Sequence, residues 1–352
     1  MRTIRECLQK MTIRQFRDIA FRLELTPPED EGRSSWIQLL EEKITSDPAD
    51  LYGSIGRSGW DALKPYLEGA SGEIAVPIYA ANDSEPLRDA LEVLRLYGLA
   101  WRDRKSWHIN PYVAGVLPRS DKVWEQLQND DIIVTIAMGY LRIYGMLPKD
   151  PLIAMMLGDT AQKERERAEN YIIWLILHRW GLDCMLMVGK DIWFVLPYID
   201  DPKDLYREIR KSEDEAPDYA CYSQEEAIVC GCGGLIGHSE DYREALAVYR
   251  RHHVSEHDAM QVLADAAAFF QESMLEEAYS TLCDPFEHPL TPRETNVLSE
   301  VLLHVPLWHL KGHTLYDTGL RVGPVKPGGI KLTDPCPCGS GRQYGKCCGR
   351  FQ

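Results

Sequence analysis

The end of the chain constrains it most. Cys336, Cys338, Cys347 and Cys348 fall within thirteen residues, in the run Asp334-Pro335-Cys336-Pro337-Cys338-Gly339-Ser340-Gly341-Arg342-Gln343-Tyr344-Gly345-Lys346-Cys347-Cys348-Gly349. One residue separates the first pair, and eight separate it from the second. Zinc takes four ligands in a tetrahedron, and thiolates suit it. A segment of about 20 residues has no core of its own, so the metal supplies its folding energy. Pro335 and Pro337 stiffen the first ligand arm. Gly339 and Gly341 let the backbone turn and aim amides at sulfur. Arg342 and Lys346 offset the charge of a tetrathiolate, and Tyr344 can cover one side. The cofactor expected is one structural Zn2+ held by these four cysteines. Four unrelated thiols, or a Cys347–Cys348 disulfide, explain the clustering less well.

On these residues the tail resembles the SEC-C motif, the zinc module found at the carboxyl end of the SecA motor. The likeness covers the Pro-Cys-Pro-Cys-Gly-Ser-Gly start, the tyrosine and the closing cysteine pair; Cys348 stands where SecA itself usually has histidine. It implies a docking module of a bacterial protein, which in SecA-type chains contacts an export chaperone and the ribosome. The rest of the chain has no phosphate-binding Gly-x-x-x-x-Gly-Lys-Thr loop, so motor activity does not carry over.

The 352 residues leave room for two or three domains at about 100–200 residues each. Net charge is −15, which repels polyanions at long range and leaves nucleic-acid contact to local basic patches. Most of the excess acid falls between residues 121 and 330, and the last 22 residues carry a small positive excess. The amino-terminal residues are charged, and no apolar run approaches the roughly 20 residues of a membrane span. The expectation is a cytoplasmic protein without membrane contact, its thiols reduced or metal-bound.

Residues 1–48 read as a helix–loop–helix. Thr12 and Gln15 form a capping box ahead of Ile13, Phe16, Ile19, Ala20 and Leu23 on one face. Ser35 and Gln38 repeat the pattern before Trp36. The unit resembles the small SAP and Rho amino-terminal modules, with Arg14, Arg17 and Arg22 on the outer face of its first helix. Residues 49–120 resemble a winged-helix unit. A helix from Leu51 stops before Pro65, a second runs from Pro86 to Tyr97, and a hairpin follows with Arg102, Arg104 and Lys105 at its tip, where a wing would meet phosphates. Residues 121–200 repeat the plan, with helices at Asp131 to Tyr144, Asp150 to Leu157 and Lys163 to Trp180. Their apolar hairpin, Met185 to Val188 and Ile192 to Leu196, suits protein contact. Leu96-Tyr97-Gly98-Leu99 and Arg179-Trp180-Gly181-Leu182 are matching joins.

The charged stretch from Asp200 to Asp218 reads as a linker. Residues 219–318 then read as a helical bundle, with helices at Ser239 to His252, Glu256 to Gln271, Ser273 to Leu282 and Thr291 to His304. The stretch from Val305 to Thr314 shows no readable chemistry. A Gly/Pro-rich lead joins it to the zinc module at 332–352. The fold class expected is mainly α with small β-hairpins: tandem winged-helix-like units, a helical bundle and a SEC-C module.

Other constellations carry less. Cys221, Cys230, Cys232 and His238 could make a second metal site, but Cys221 and Cys230 read as one helix and no second tight pair exists. Buried thiols are the simpler reading. His252, His253 and His257 offer a four-residue spacing without the glutamate a metalloprotease needs. His304, His309 and His313 spread over a proline-broken stretch. No nucleophile elbow or dinucleotide fingerprint is present. The expectation is therefore a non-catalytic adaptor whose tail docks to a protein or the ribosome. The alternatives are a nucleic-acid-binding regulator, using Arg14, Arg17, Arg22, Arg102, Arg104 and Lys105, and a metal-dependent enzyme. The oligomeric state is left open.

Overall fold

The computed structural model describes residues 3–318, apart from 31, 71, 73, 159–161, 235–238, 287 and 289, together with Gln343. The chain opens with α1 (Ile4–Leu8), α2 (Ile13–Arg22), α3 (Arg33–Ser46) and α4 (Ala49–Leu67). Next come β1 (Ile74–Pro77), α5 (Ile78–Asn82), α6 (Glu85–Leu96), β2 (Ala100–Arg102), β3 (Ser106–Ile109) and α7 (Tyr112–Gly115). The middle holds α8 (Asp121–Tyr144), β4 (Met146–Pro148), α9 (Lys149–Leu157), α10 (Gln162–Trp180), β5 (Met185–Val188) and β6 (Asp191–Val195). Six helices follow among the described residues: α11 (Pro202–Lys211), α12 (Gln224–Gly231), α13 (Ser239–Arg251), α14 (Glu256–Gln271), α15 (Leu275–Cys283) and α16 (Pro292–Leu303). The described residues are mainly helical with two small three-stranded sheets. No described helix is long and apolar enough to cross a membrane.

Two compact units result, one of Met1–Val134 with Leu157–Met185, the other of Thr135–Met156 with Leu186–Gln352. In the first, one core runs from Ile4 to Leu127, so residues expected as 1–48 and 49–120 share it. Phe16, Trp36 and Trp60 are fully buried there, each worth about 1.5–3 kcal/mol relative to exposure. The Thr12–Gln15 capping box forms as expected: Gln15 N donates to Thr12 Oγ1 and Thr12 N to Gln15 Oε1. The second box does not. Helix α3 starts two residues before Ser35, at Arg33, and Ser35 Oγ donates instead to Asp30 Oδ2 at 2.8 Å. Helix α4 does not stop before Pro65 but runs one turn further, placing Leu67 in the core. It is broken at Gly56, whose φ of 70° and ψ of 174° are not helical.

Both sheets share one plan. Helix α4, strand β1, helices α5 and α6, and the β2–β3 hairpin give the order β1-β3-β2. Helix α8, strand β4, helices α9 and α10, and the β5–β6 strands give β4-β6-β5. In each, the first strand returns to pair antiparallel with the third: Val76 opposite Trp107, and Leu147 opposite Phe194. Each first strand ends in proline, Pro77 or Pro148, which an edge strand tolerates. The joins at Gly98 and Gly181 share φ near +70°. Strands β1 and β4 are additions to the expected hairpins, and α8 begins ten residues earlier than expected.

In the second unit, α13 to α16 pack around Tyr249, Leu263, Phe270, Leu282, Leu298 and Val301. The expected linker is not one: Asp201 caps α11, and Ile209 on that helix is buried. The stretch 305–314 is a pin. Trp308 Nε1 and Gln271 Nε2 each donate at 3.0 Å to Arg142 O in the last turn of α8, satisfying a carbonyl the helix cannot. Tyr222 donates to Gly312 O at 2.9 Å and Lys311 Nζ to Pro217 O at 2.7 Å. Lys311 itself is left-handed, at φ 51°.

Candidate functional site

The four expected zinc ligands, Cys336, Cys338, Cys347 and Cys348, lie outside the described residues, as does His238. Among the described residues no group of three or more His, Cys, Asp or Glu side chains is disposed to hold a metal ion.

The Cys230-Gly231-Cys232 pair has a packing explanation. Cys221 precedes α12, which begins at Gln224, so the expected single helix holding both Cys221 and Cys230 does not form. Cys230 is buried near the helix end, whereas Cys232 at the cap is exposed. A Cβ on Gly231 would lie 2.1 Å from Thr135 O, and one on Gly139 would lie 1.7 Å from Ala227 O. Helices α8 and α12 therefore cross backbone to backbone. The glycine between the cysteines serves that crossing.

The described histidines form no metal-holding group of three or more His, Cys, Asp or Glu side chains either. His253 is left-handed in the turn after α13, so the four-residue spacing to His257 does not lie on one helix. His252 Nε2 lies 3.3 Å from Glu294, which caps α16. His309 is half-buried, and the desolvation of its ring holds its pKa below the ordinary value. His313 Nε2 donates to Asp218 O at 3.1 Å.

The expected basic residues separate into two groups. Arg14 and Arg17 are exposed on α2, and Arg102, Arg104 and Lys105 are exposed at the β2–β3 tip. That tip is held by Asp103. Its carboxylate accepts from Lys105 N at 2.7 Å and Ser106 N at 2.9 Å, and pairs with His108 Nε2 at 2.9 Å. His108 and these amides hold the Asp103 carboxyl far below the usual range. Trp101 stacks on His108 with centroids 5.6 Å apart. Arg22 does not join the outer face. It is the tenth residue of α2 and has rotated inward: only 6% exposed, it donates to His178 O at 3.4 Å and faces Asp18 at 3.5 Å.

Arg22 belongs to a polar seam that the spacing of residues did not reveal, because its members come from four distant stretches. Lys43 Nζ lies 2.8 Å from Asp50, and Asp50 lies 3.3 Å from His178 Nε2. Burial alone would raise the Asp50 carboxyl, but His178 and Lys43 outweigh it and hold it below its ordinary value. Ser54 Oγ and the Tyr97 hydroxyl share a hydrogen bond of 2.8 Å, and burial pushes Tyr97 up to about 12.

The first unit also contains a cavity of about 900 Å³ between α4 and the start of α8. Arg57 and Lys64 lie over Trp124 there, 5.9 and 5.8 Å from its ring centroid. Asp61 and Glu68 pair with these cations at 3.5 and 3.6 Å, so the walls carry both signs.

No curated protein and no solved structure matches this chain. Residues 333–350 match the SEC-C motif, a zinc-binding-type module, which accounts for the four-cysteine tail.

Proposed function

We propose that the protein is a zinc-binding, non-catalytic adaptor of the bacterial cytoplasm, whose tail docks to a protein or ribosomal partner. The observation behind this reading is the SEC-C match at 333–350 on a body built of repeated helix–sheet modules. The donor set of Cys336, Cys338, Cys347 and Cys348 suits one tetrahedral zinc, which would supply a folded docking face rather than chemistry.

The helix–strand–helix–helix–hairpin order, with the third strand central, supports tandem winged-helix-like units. In such a unit the helix before the hairpin is the one that would enter a DNA groove. Here that helix is α6. Its outward residues are Glu85, Arg88, Asp89, Glu92 and Arg95, an acidic balance that disfavours a phosphate backbone. Protein contact fits this face better. The reading is tested by capturing partners on the full chain and on a tail-deleted chain. Equal ribosome binding by both would sink the docking role, and a Cys338→Ser chain should behave like the deletion.

The exposure of Arg14, Arg17, Arg102, Arg104 and Lys105 favours a second reading, binding of nucleic acid beside α6. It predicts a mobility shift that weakens steeply with salt and is lost when these five are neutralised.

A further inference from the structure

The outward face of the first sheet is aromatic, and its hairpin end is basic. Strand pairing sets Ala75, His108 and Trp101 in one row across β1, β3 and β2: Ala75 stands opposite His108, and His108 opposite Trp101. Alternation sends Val76, Trp107 and Ile109 to the other face, where they are buried in the core shared with α4 and α6. On the outward row Ala75 is exposed, and Trp101 and His108 are half-buried. The Trp101 and His108 rings lie 10° from parallel with centroids 5.6 Å apart. Asp103 fixes the imidazole of that stack, at 2.9 Å from Nε2.

A third ring stands at the end of the row. Ile78 N donates to Lys105 O at 3.0 Å, which sets the start of α5 against the hairpin tip. The next residue, Tyr79, is 70% exposed, so its ring adds little to the core. Arg102, Arg104 and Lys105 are exposed at the same tip. The carboxylate between them, on Asp103, is already bonded to two amides and to His108. In a chain of net charge −15, attraction for phosphate has to come from such a local cluster.

We propose that this end of the first sheet binds single-stranded nucleic acid. Unpaired bases lie on Tyr79 and on the Trp101–His108 stack, and backbone phosphates lie on Arg102, Arg104 and Lys105. The ligand is that of the second reading above, on which this rests, narrowed to an unpaired strand. Two features select that form. A protein ring can meet the face of a base only where the base is unstacked, and in a duplex those faces are taken. A duplex at this tip also carries a second line of phosphates toward α6, which packs on β2 and β3 and presents Glu85, Asp89 and Glu92. A single strand follows the tip and leaves that helix aside.

Fluorescence anisotropy with the full chain tests the assignment. The probes are a labelled pyrimidine strand of about 12 nucleotides, as DNA and as RNA, and the duplex of the same sequence. At least one single strand should bind about tenfold more tightly than the duplex. Tyr79→Ala, which leaves the core intact, should weaken single-strand binding at least about fivefold, the lower end of what one stacked base is worth. Tyr79→Phe keeps the ring and should bind within about twofold of the native chain. Replacing Arg104 and Lys105 with glutamine should lower the slope of log affinity against log salt by about 1.4. Ultraviolet cross-links from the bound strand should fall on Tyr79, Trp101 or His108. Equal affinity for the duplex, unchanged affinity in Tyr79→Ala, or cross-links that miss all three rings overturns the proposal and leaves the second reading standing. Failure of every probe to bind removes both.

Discussion

Arg179 and Asp131 pair across the break in α4 and satisfy both of its ends. Asp131 accepts from Arg57 N and Ser58 N, the first free amides after Gly56, at 3.3 and 3.2 Å. Arg179 Nε donates at 2.6 Å to Gly53 O, a carbonyl left free before the break, and its NH2 group reaches Asp131. A broken helix exposes donors on one side and acceptors on the other. One carboxylate and one guanidinium, bound to each other, supply both partners. Gly56 is required because its φ is left-handed and because Arg179 occupies the place of a Cβ.

Replacing Arg179 should therefore cost more than an ordinary surface pair. Its side chain is 13% exposed and Asp131 is 25% exposed. Arg179→Met strips partners from Gly53 O and Asp131 together, at about 2–3 kcal/mol. Arg179→Lys should recover little, because one ammonium cannot imitate the fork. Denaturant midpoints of the three chains check this, and wild-type stability in Arg179→Met would rule the clamp out as a stabilising element.

The crossing of α8 and α12 gives a second expectation. Gly139→Ala places a methyl within van der Waals overlap of Ala227 O, and backbone cannot step aside as a side chain can. A loss of about 2–3 kcal/mol should follow. Gly115→Ala is the control: nothing lies within 4 Å of its added Cβ, and stability should hold or rise by up to about 1 kcal/mol. Thermal unfolding of the two variants, read side by side, makes the comparison.

These two arrangements mark where sequence reasoning stops. Local signals read well: the Thr12 box, the apolar face of α2, the two hairpins and the bundle helices all sit near their expected places. Strands β1 and β4 have only four and three residues, too few for an alternation to show, and their pairing is decided by distant partners. Arg22 went to the interior because a carbonyl at His178 awaits it, 156 residues away. The linker reading of 200–218 weighed charge and overlooked Asp201, a cap followed by proline at the first turn. The SEC-C match was legible because that motif is written in short spacing, whereas a polar seam drawn from distant stretches is not.

Acid should weaken the bundle through Glu294. Bonds from Thr291 N and Oγ1, with His252 alongside, hold its carboxyl down to about 2 from an ordinary 4.5. A depressed folded value means the unfolded chain binds the proton first. The contribution is complete above about 4.5 and is lost as pH falls toward about 2. Glu294→Gln keeps the box, since glutamine suits that position, and removes the titration. Unfolding free energy plotted against pH should be flatter over that window in the variant. Parallel curves would show that the carboxyl does not carry this dependence.

Removing the tail metal should leave the body standing. Among the described residues, the two units have their own cores, built from Ile4 to Leu127 and from Ala216 to Leu315. Replacing Cys347 and Cys348 with serine takes away two of four thiolates, and a tetrahedral site does not survive with half its donors. Zinc content should fall from one per chain to none. Unfolding of the body should change by no more than about 0.5 kcal/mol. A second zinc persisting in the variant would require ligands elsewhere in the chain and would revive a metal site around Cys230 and Cys232. Loss of body stability along with the metal would instead mean that the tail is part of the fold, and the docking role would have to be retested with the metal kept in place.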